Sequence, residues 1–305
     1  MVLLLVLAGA CNGCRPDFPN PPDTQPPEDD SAPPVDTSPD DSADSGPPPR
    51  CDFEEVEPNN SPDTSQTLPM ELWACGDFSA YLDFDFFTIT PNQTGWITIR
   101  AEAATRGSSA NPQLVVEGGG EGAQVLDGYL TTDPLLVFPA PALEPYRITL
   151  AETNLLYGDD YEWFLLTSLS KEPVEWDAEE VEPNDQSDEA QVFPLDQTVF
   201  GHMDREGDFD WYKITTTYEG EQNLVFDVTA FIEGSAANLK LVLYDSDGVT
   251  ELRTSSNGEI SYDRDPYFQK KVTGIKDLYL LARTEDDRGS RFHWYTLSVT
   301  ATPTE

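Results

Sequence analysis

The sequence of 305 residues predicts an all-β protein: two tandem β-sandwich domains behind a disordered tether rich in proline and aspartate. Three observations carry that prediction. EEVEPNNSPDTSQTLPMELWACGDFSAYLDFDFFTIT at 54–90 lies over EEVEPNDQSDEAQVFPLDQTVFGHMDREGDFDWYKIT at 179–215 without a gap, an offset of 125. Identity at 15 of these 37 positions marks an internal duplication. Short segments alternate apolar and polar residues with period two, and no stretch of 12 or more residues has helical periodicity.

Taken in chain order, MVLLLVLAGAC is an apolar run too short to span a bilayer and the right size for a signal-peptide core. Its end, Leu7-Ala8-Gly9-Ala10-Cys11, resembles the lipobox of bacterial lipoproteins, which implies lipidation of Cys11. The basic residue expected before the run is absent, and the leucine sits one place too far upstream. The alternative is a plain signal peptide with an incidental cysteine. Residues 1–14 are therefore read as signal peptide and lipobox, and 15–50 as an acidic linker. Proline, aspartate and serine dominate that linker, so it has too little apolar surface to offset the entropy of ordering. Like charges and polyproline II preference extend it, as suits a tether. A short recognition motif within it is the alternative reading.

The folded units span 51–171 and 172–305. TGWITIRAEA at 94 and QNLVFDVTAF at 222 alternate strictly, and FDFFTIT at 84 and FDWYKIT at 209 do so with more aromatics. Turn signals such as GGGEG at 118 and DSDG at 245 separate these runs. ANPQLVV at 110 lies over ANLKLVL at 237, and YEWFLLTS at 161 over FHWYTLSV at 292, the last at an offset of 131. Several short strands over each unit argue two β-sandwiches, each with its own aromatic core.

A net charge of −40 excludes nucleic acid as a partner, because such a chain repels phosphate backbones. The four cysteines divide by position. Cys11 and Cys14 precede the folded units, while Cys51 and Cys75 share the first one and form a disulfide candidate in an exported protein. The second unit has Trp176 and Phe200 at those positions. Zinc is disfavoured, since the folded region holds no CxxC pair and only His202 and His293.

The phrase EVEPN[ND] opens both units. In an extended segment alternate side chains share a face, which groups Glu180, Glu182 and Asn184, with Asp185 beside them. Asp208 and Asp210 likewise share a face, with Phe209 expected to turn towards the core. If the two segments meet, four carboxylates and two amide side chains converge, and such hard oxygen donors suit Ca²⁺. The matching set in the first unit is Glu55, Glu57, Asn59, Asn60, Asp83 and Asp85. The alternative is a domain-opening turn followed by solvated aspartates. Asp245 and Asp247 read as a hairpin turn, and the sequon at Asn92 carries little weight.

The combination of E-x-E-P-N-[ND], a glycine before a D-x-D-[FW]-[FY] strand, and a closing aromatic strand resembles the bacterial pre-peptidase C-terminal domain. It is similar also to the collagen-binding domains of clostridial collagenases. The resemblance covers about 51–170 and 176–305. It implies non-catalytic sandwiches of jelly-roll character, usually appended to secreted peptidases, with calcium bound through the repeated phrase and pinning the incoming linker. Here no peptidase sequence precedes the modules.

No HExxH, GxSxG or P-loop motif occurs. His202 and His293 are not kept between the repeats and read as surface or edge residues, so no enzyme is expected. Two functions remain. One is a monomeric, lipid-anchored protein of the outer membrane or cell surface that binds matrix, polysaccharide or another surface protein. The other is a spacer or accessory to a separately encoded secreted peptidase, whether anchored, secreted or periplasmic. Exposure of Trp73, Trp96 and Tyr267 on one face would favour binding.

Overall fold

The computed structural model describes residues 51–128, 130–256 and 264–304. The signal peptide, Cys11, Cys14 and the tether lie outside the described residues. Within them, no helix is long and apolar enough to cross a membrane.

Each unit is a sandwich of two five-stranded sheets. In the first unit, one sheet orders β1 (Phe53–Glu54), β3 (Trp73–Asp77), β10 (Glu162–Ser170), β5 (Gly95–Glu102) and β8 (Leu135–Ala140). The facing sheet orders β2 (Gln66–Thr67), β4 (Phe84–Ile89), β9 (Tyr146–Glu152), β6 (Pro112–Gly118) and β7 (Glu121–Val125). The second unit repeats this. Its sheets order β11 (Ala178–Glu179), β13 (Thr198–His202), β20 (Trp294–Pro303), β15 (Glu221–Thr229) and β18 (Tyr267–Thr273), and then β12 (Gln191–Val192), β14 (Asp210–Thr215), β19 (Asp277–Thr284), β16 (Leu239–Tyr244) and β17 (Glu251–Ser255). The two orders are the same when ten is added to each strand number, so the duplication preserved the whole topology.

Alternation sets which side chains meet between the sheets. In β14 the inward row is Asp210, Tyr212 and Ile214, while Trp211 and Lys213 are half-buried on the outer face. In β4 it is Asp85, Phe87 and Ile89. This corrects one expectation from sequence. Phe209 lies on the outer face, and Asp208 and Asp210 turn inward, because the buried Tyr212 and Ile214 fix the phase of the strand.

The closing strands also differ by one residue from the alignment by sequence. Cys75 opposes Phe164, and Phe200 opposes Thr296. Cys75 and Phe200 are repeat partners, so Trp163 corresponds to Tyr295 and Glu162 to Trp294, an offset of 132 rather than 131. Matching tryptophan to tryptophan gave the wrong phase, because both fall on well-buried positions of adjacent register.

The units are not independent bodies. Phe292 of the second joins the core of the first, where its ring lies 4.7 Å from Phe138. Trp294, fully buried, donates its indole N–H to the Val137 carbonyl at 2.7 Å, while the Val137 amide donates to Gly234 at 2.7 Å. Trp96 and Trp176, the latter in the segment that joins the two sandwiches, pack against Phe200 and Trp294, and Trp176 stacks on Phe200 at 4.3 Å. Arg291 pairs with Glu121 at 2.7 Å and Glu144 at 2.8 Å. The equivalents of Arg291, Phe292 and Trp294 in the first unit are Asp159, Asp160 and Glu162, so the same contact is not repeated there. Trp96 is therefore a joint residue, and Trp73 lies beneath the Arg106 guanidinium at 4.4 Å. Tyr267 sits on β18 of the other unit, so the three aromatics do not form one patch.

His293 is buried, not superficial. Its Nδ1 lies 2.9 Å from the Ser290 hydroxyl, and burial lowers its pKa to about 4. Replacing Phe292 with alanine removes a ring from the core of the first unit, at a cost of about 3–5 kcal/mol. Hydrogen exchange will show lost protection in β8 and β9, although the substitution lies in the other repeat. Unchanged exchange in β8 and β9 would mean that the cores are separate.

Candidate metal centres

Each EVEPN segment leaves a short edge strand and folds over the end of its sandwich. β1 and β11 pair in parallel with β3 and β13, which carries Glu55 and Glu180 beside the glycines of those strands. A Cβ on Gly76 would overlap the Glu55 carboxylate and the Trp163 ring, and one on Gly201 would overlap Tyr295 and Glu180. Glycine is thus required for close approach rather than for backbone freedom. The Glu57–Pro58 and Glu182–Pro183 peptide bonds are cis.

The asparagine comes next and locks the segment to the sandwich. The Asn59 carbonyl accepts from the Phe86 amide at 3.1 Å, and that of Asn184 from Trp211 at 2.9 Å. Their own amides donate to Glu57 at 2.9 Å and Glu182 at 3.0 Å. Both asparagine side chains are fully buried. In each unit the lock brings three carboxylates together: oxygens of Glu55, Glu57 and Asp85, and of Glu180, Glu182 and Asp210, lie within 4.8 Å of one another.

The remaining residues expected at the sites face other partners. Asp83 accepts from the Ser79 amide at 2.7 Å and the Ser79 hydroxyl at 3.1 Å, bracing the β3–β4 loop. Asp208 likewise accepts from the Asp204 amide, and it lies 3.4 Å from Arg205. Asp185 holds Arg205 through both oxygens at 2.6 and 2.7 Å. Asn60 donates to Glu57 at 3.2 Å and accepts from the Phe84 amide. These four steady the loops around each cluster. Asp245 and Asp247 stand apart in the β16–β17 turn, where Asp245 pairs with Lys276 at 3.0 Å.

The clusters differ in what covers them. In the first, Phe87 and Trp163 meet edge to face at 5.5 Å, and neither has a hydroxyl to offer Asp85. Both Asp85 oxygens are buried without a hydrogen-bond donor, as is the Asn59 side-chain oxygen. Burial, then the neighbouring Glu55 carboxyl, pushes Asp85 up to about 11. In the second, the equivalents are Tyr212 and Tyr295. Tyr295 donates to Asp210 at 2.5 Å, and Tyr212 lies 2.7 Å from Tyr295 and 3.3 Å from Glu180. Burial still raises Asp210 well above the carboxylate range, and Glu180 to about 7. Asp210 nonetheless keeps one buried oxygen without a donor, and so does the Asn184 amide.

Sequence reading missed the glycine cradles, the two tyrosines and the Arg205 brace. The tyrosine at 212 is visible in the place of Phe87 of FDFFTIT, but Tyr295 is hidden by the one-residue slip in the alignment.

No family model matches this chain, and no curated protein matches it. Among solved structures it is similar to the pre-peptidase C-terminal domain of collagenase from Bacillus anthracis, at 17% identity. That match covers 36% of this chain and 93% of the other, with a TM-score of 0.29. It is similar also to the tandem CBM51 modules of a family 98 glycoside hydrolase from Streptococcus pneumoniae, at 8% identity, 74% and 83% coverage and a TM-score of 0.26. A third is the CBM22 tandem of a Paenibacillus barcinonensis protein, at 12% identity, 75% and 85% coverage and a TM-score of 0.22. The chain itself is a tandem β-sandwich protein with a duplicated acidic cluster.

Asp85→Asn tests the electrostatics directly. A carboxyl whose pKa is raised in the folded state favours folding below its ordinary value of 3.8 and loses that contribution as pH rises towards about 11. In chelator the variant will therefore be more stable than wild type at pH 8, by about 1–3 kcal/mol. The gap will close as pH falls towards 4. Thermal melts of both proteins across that range check it, and a less stable variant at pH 8 contradicts the account.

Proposed function

We propose that this chain is a non-catalytic, exported binding module whose two sandwiches are each braced by a calcium ion. The observation that carries the metal reading is the fully buried Asp85, whose two oxygens have no donor and lie in one cluster with the Glu55 and Glu57 carboxylates, while the buried Asn59 side-chain oxygen also lacks a donor. An ionised carboxylate in that setting costs several kcal/mol unless a counter-charge is present. The donors are all hard oxygens, with no thiolate or imidazole, which fits Ca²⁺ better than zinc or copper.

Glu55, Glu57, Asp85 and the Asn59 oxygen would hold the first ion. Glu180, Glu182, Asp210 and the Asn184 oxygen would hold the second. The cation supplies charge neutralisation. The chain does the rest: the glycine cradles admit the glutamates, and the asparagine carbonyls fix the segment to β4 and β14. The first ion thereby fastens the end of the tether, beside the Cys51–Cys75 disulfide. The second would fasten the segment after Trp176 at the joint between the sandwiches, Glu180 lying four residues beyond that tryptophan.

The N-terminal segment supports an exported, lipid-anchored protein, with Cys11 as the modified residue and 15–50 as the tether. A rigid pair of sandwiches held off a membrane suits adhesion to matrix, polysaccharide or a surface protein. No catalytic constellation is part of this reading.

Calcium binding to the folded state alone must raise the melting temperature. The full chain will melt higher in millimolar calcium than in chelator. Glu182→Ala with Asp210→Ala will remove the response of the second sandwich while leaving that of the first. Equal melting curves for wild type in calcium and chelator would sink the metal reading.

A further inference from the structure

The outer face of the second sandwich carries a concavity of about 410 Å³, lined by Phe209, Trp211, Tyr244, Lys240 and Arg283 around Val242 and Leu281. Its size falls within the range of small-ligand sites. Three strands build it. Lys240, Val242 and Tyr244 alternate along β16, Leu281 and Arg283 along β19, and Trp211 follows Phe209 into β14. Trp211 and Tyr244 stack at 5.2 Å with their planes 29° apart, and both remain half-buried.

Two features of this face are unexpected in an exposed sheet. The first is charge. Lys240 stands directly opposite Arg283 across β16 and β19, and like charges so placed are mutually destabilising. Arg283 has a distant partner, Asp287 at 3.5 Å, and lies 6.0 Å from the Phe209 ring. Lys240 makes no ion pair among the described residues. A chain with 17 basic and 57 acidic residues has placed two of its few cations side by side on an aromatic floor. The second feature is that only one copy does so. The sheet registers put Phe86, Gln113, Glu117 and Ala151 of the first sandwich where the second has Trp211, Lys240, Tyr244 and Arg283. Neither the duplicated fold nor the acidic cluster requires these four residues, so packing alone does not account for them.

We infer that this face binds an acidic saccharide, a chain of sugars bearing carboxylate groups. Aromatic ring faces carry negative quadrupole charge and offer a flat apolar surface. The C–H face of a pyranose is apolar and weakly positive, so it stacks on Trp211 and Tyr244. The ligand's carboxylate meets Lys240 and Arg283 and relieves their repulsion by charge-assisted hydrogen bonds. Glu251, which accepts from the Thr254 hydroxyl at 2.7 Å at the rim of the same concavity, is placed to accept from a sugar hydroxyl as well. An acidic peptide would satisfy the cations, but the solvent-facing part of the Trp211–Tyr244 stack offers a flat apolar surface that matches a sugar ring. This deepens the binding-module reading, on which it rests, and does not involve the metal clusters.

Trigalacturonate, a short acidic oligosaccharide, is the probe, titrated calorimetrically into the full chain. Maltotriose serves as the neutral control and triglutamate as the peptide control. Trigalacturonate is expected to bind, and at least roughly tenfold more tightly than maltotriose, the worth of one charge-assisted contact. Trp211→Ala and Lys240→Glu should each weaken it by about the same factor. Lys240 is only half-buried on the outer face, so Lys240→Glu keeps the test open if the tryptophan variant fails to fold. No binding of trigalacturonate, undiminished binding in Lys240→Glu, or equal binding of triglutamate would each overturn the assignment. A lost saccharide with an intact calcium response removes this site and leaves the braced module standing. A retained saccharide without any calcium response removes only the metal reading.

Discussion

An aspartate occupies a core position in each sandwich, and the surrounding structure follows from that. Asp85 and Asp210 sit in the inward row of a strand, in series with Phe87 and Ile89 or Tyr212 and Ile214. A carboxylate there is costly without donors or a counter-ion, and the repeated EVEPN phrase is built around it. Gly76 and Gly201 make room for a glutamate at the same end. Buried asparagines lock the segment by their backbone, leaving their side-chain oxygens buried without a donor. The acidic end of each sandwich is thus a set of converging oxygens rather than a solvated loop.

The two copies solve the same electrostatic problem differently. Tyr295 and Tyr212 supply hydroxyls to Asp210 and Glu180, whereas Trp163 and Phe87 leave Asp85 with none. The first cluster therefore holds the less satisfied aspartate, although Asn60 replaces an aspartate beside it. Divergence elsewhere follows the same logic of one copy specialising. Ahead of β20 the second sandwich carries Arg291 and Phe292, with Trp294 at the start of that strand; Phe292 packs in the core of the first sandwich and Trp294 at the joint. The corresponding Asp159, Asp160 and Glu162 stayed acidic.

That joint makes orientation a property of the fold. Trp176 packs on Phe200 just before the second EVEPN segment, so linker, joint and acidic cluster are continuous. Anything that orders Glu180 and Glu182 also steadies the linker between the sandwiches. The aromatic outer face of β14, β16 and β19 consequently has a defined position relative to the first sandwich.

The sequence alone determined the duplication, the all-β class, the cysteine pair and the acidic residues of both clusters. Those follow from local pattern: a 125-residue offset, period-two alternation, and a phrase written twice. It did not determine which face of FDWYKIT is buried, because aromatics lie on both sides and only the opposing sheet chooses between them. Nor did it align Trp163 with Tyr295, since strand register is set by cross-strand hydrogen bonds and not by like residues. The core partnership of Phe292 with Phe138 and the opposition of Lys240 to Arg283 join residues 154 and 43 positions apart in the chain. Such contacts are decided by packing and pairing between distant strands, which no local pattern records.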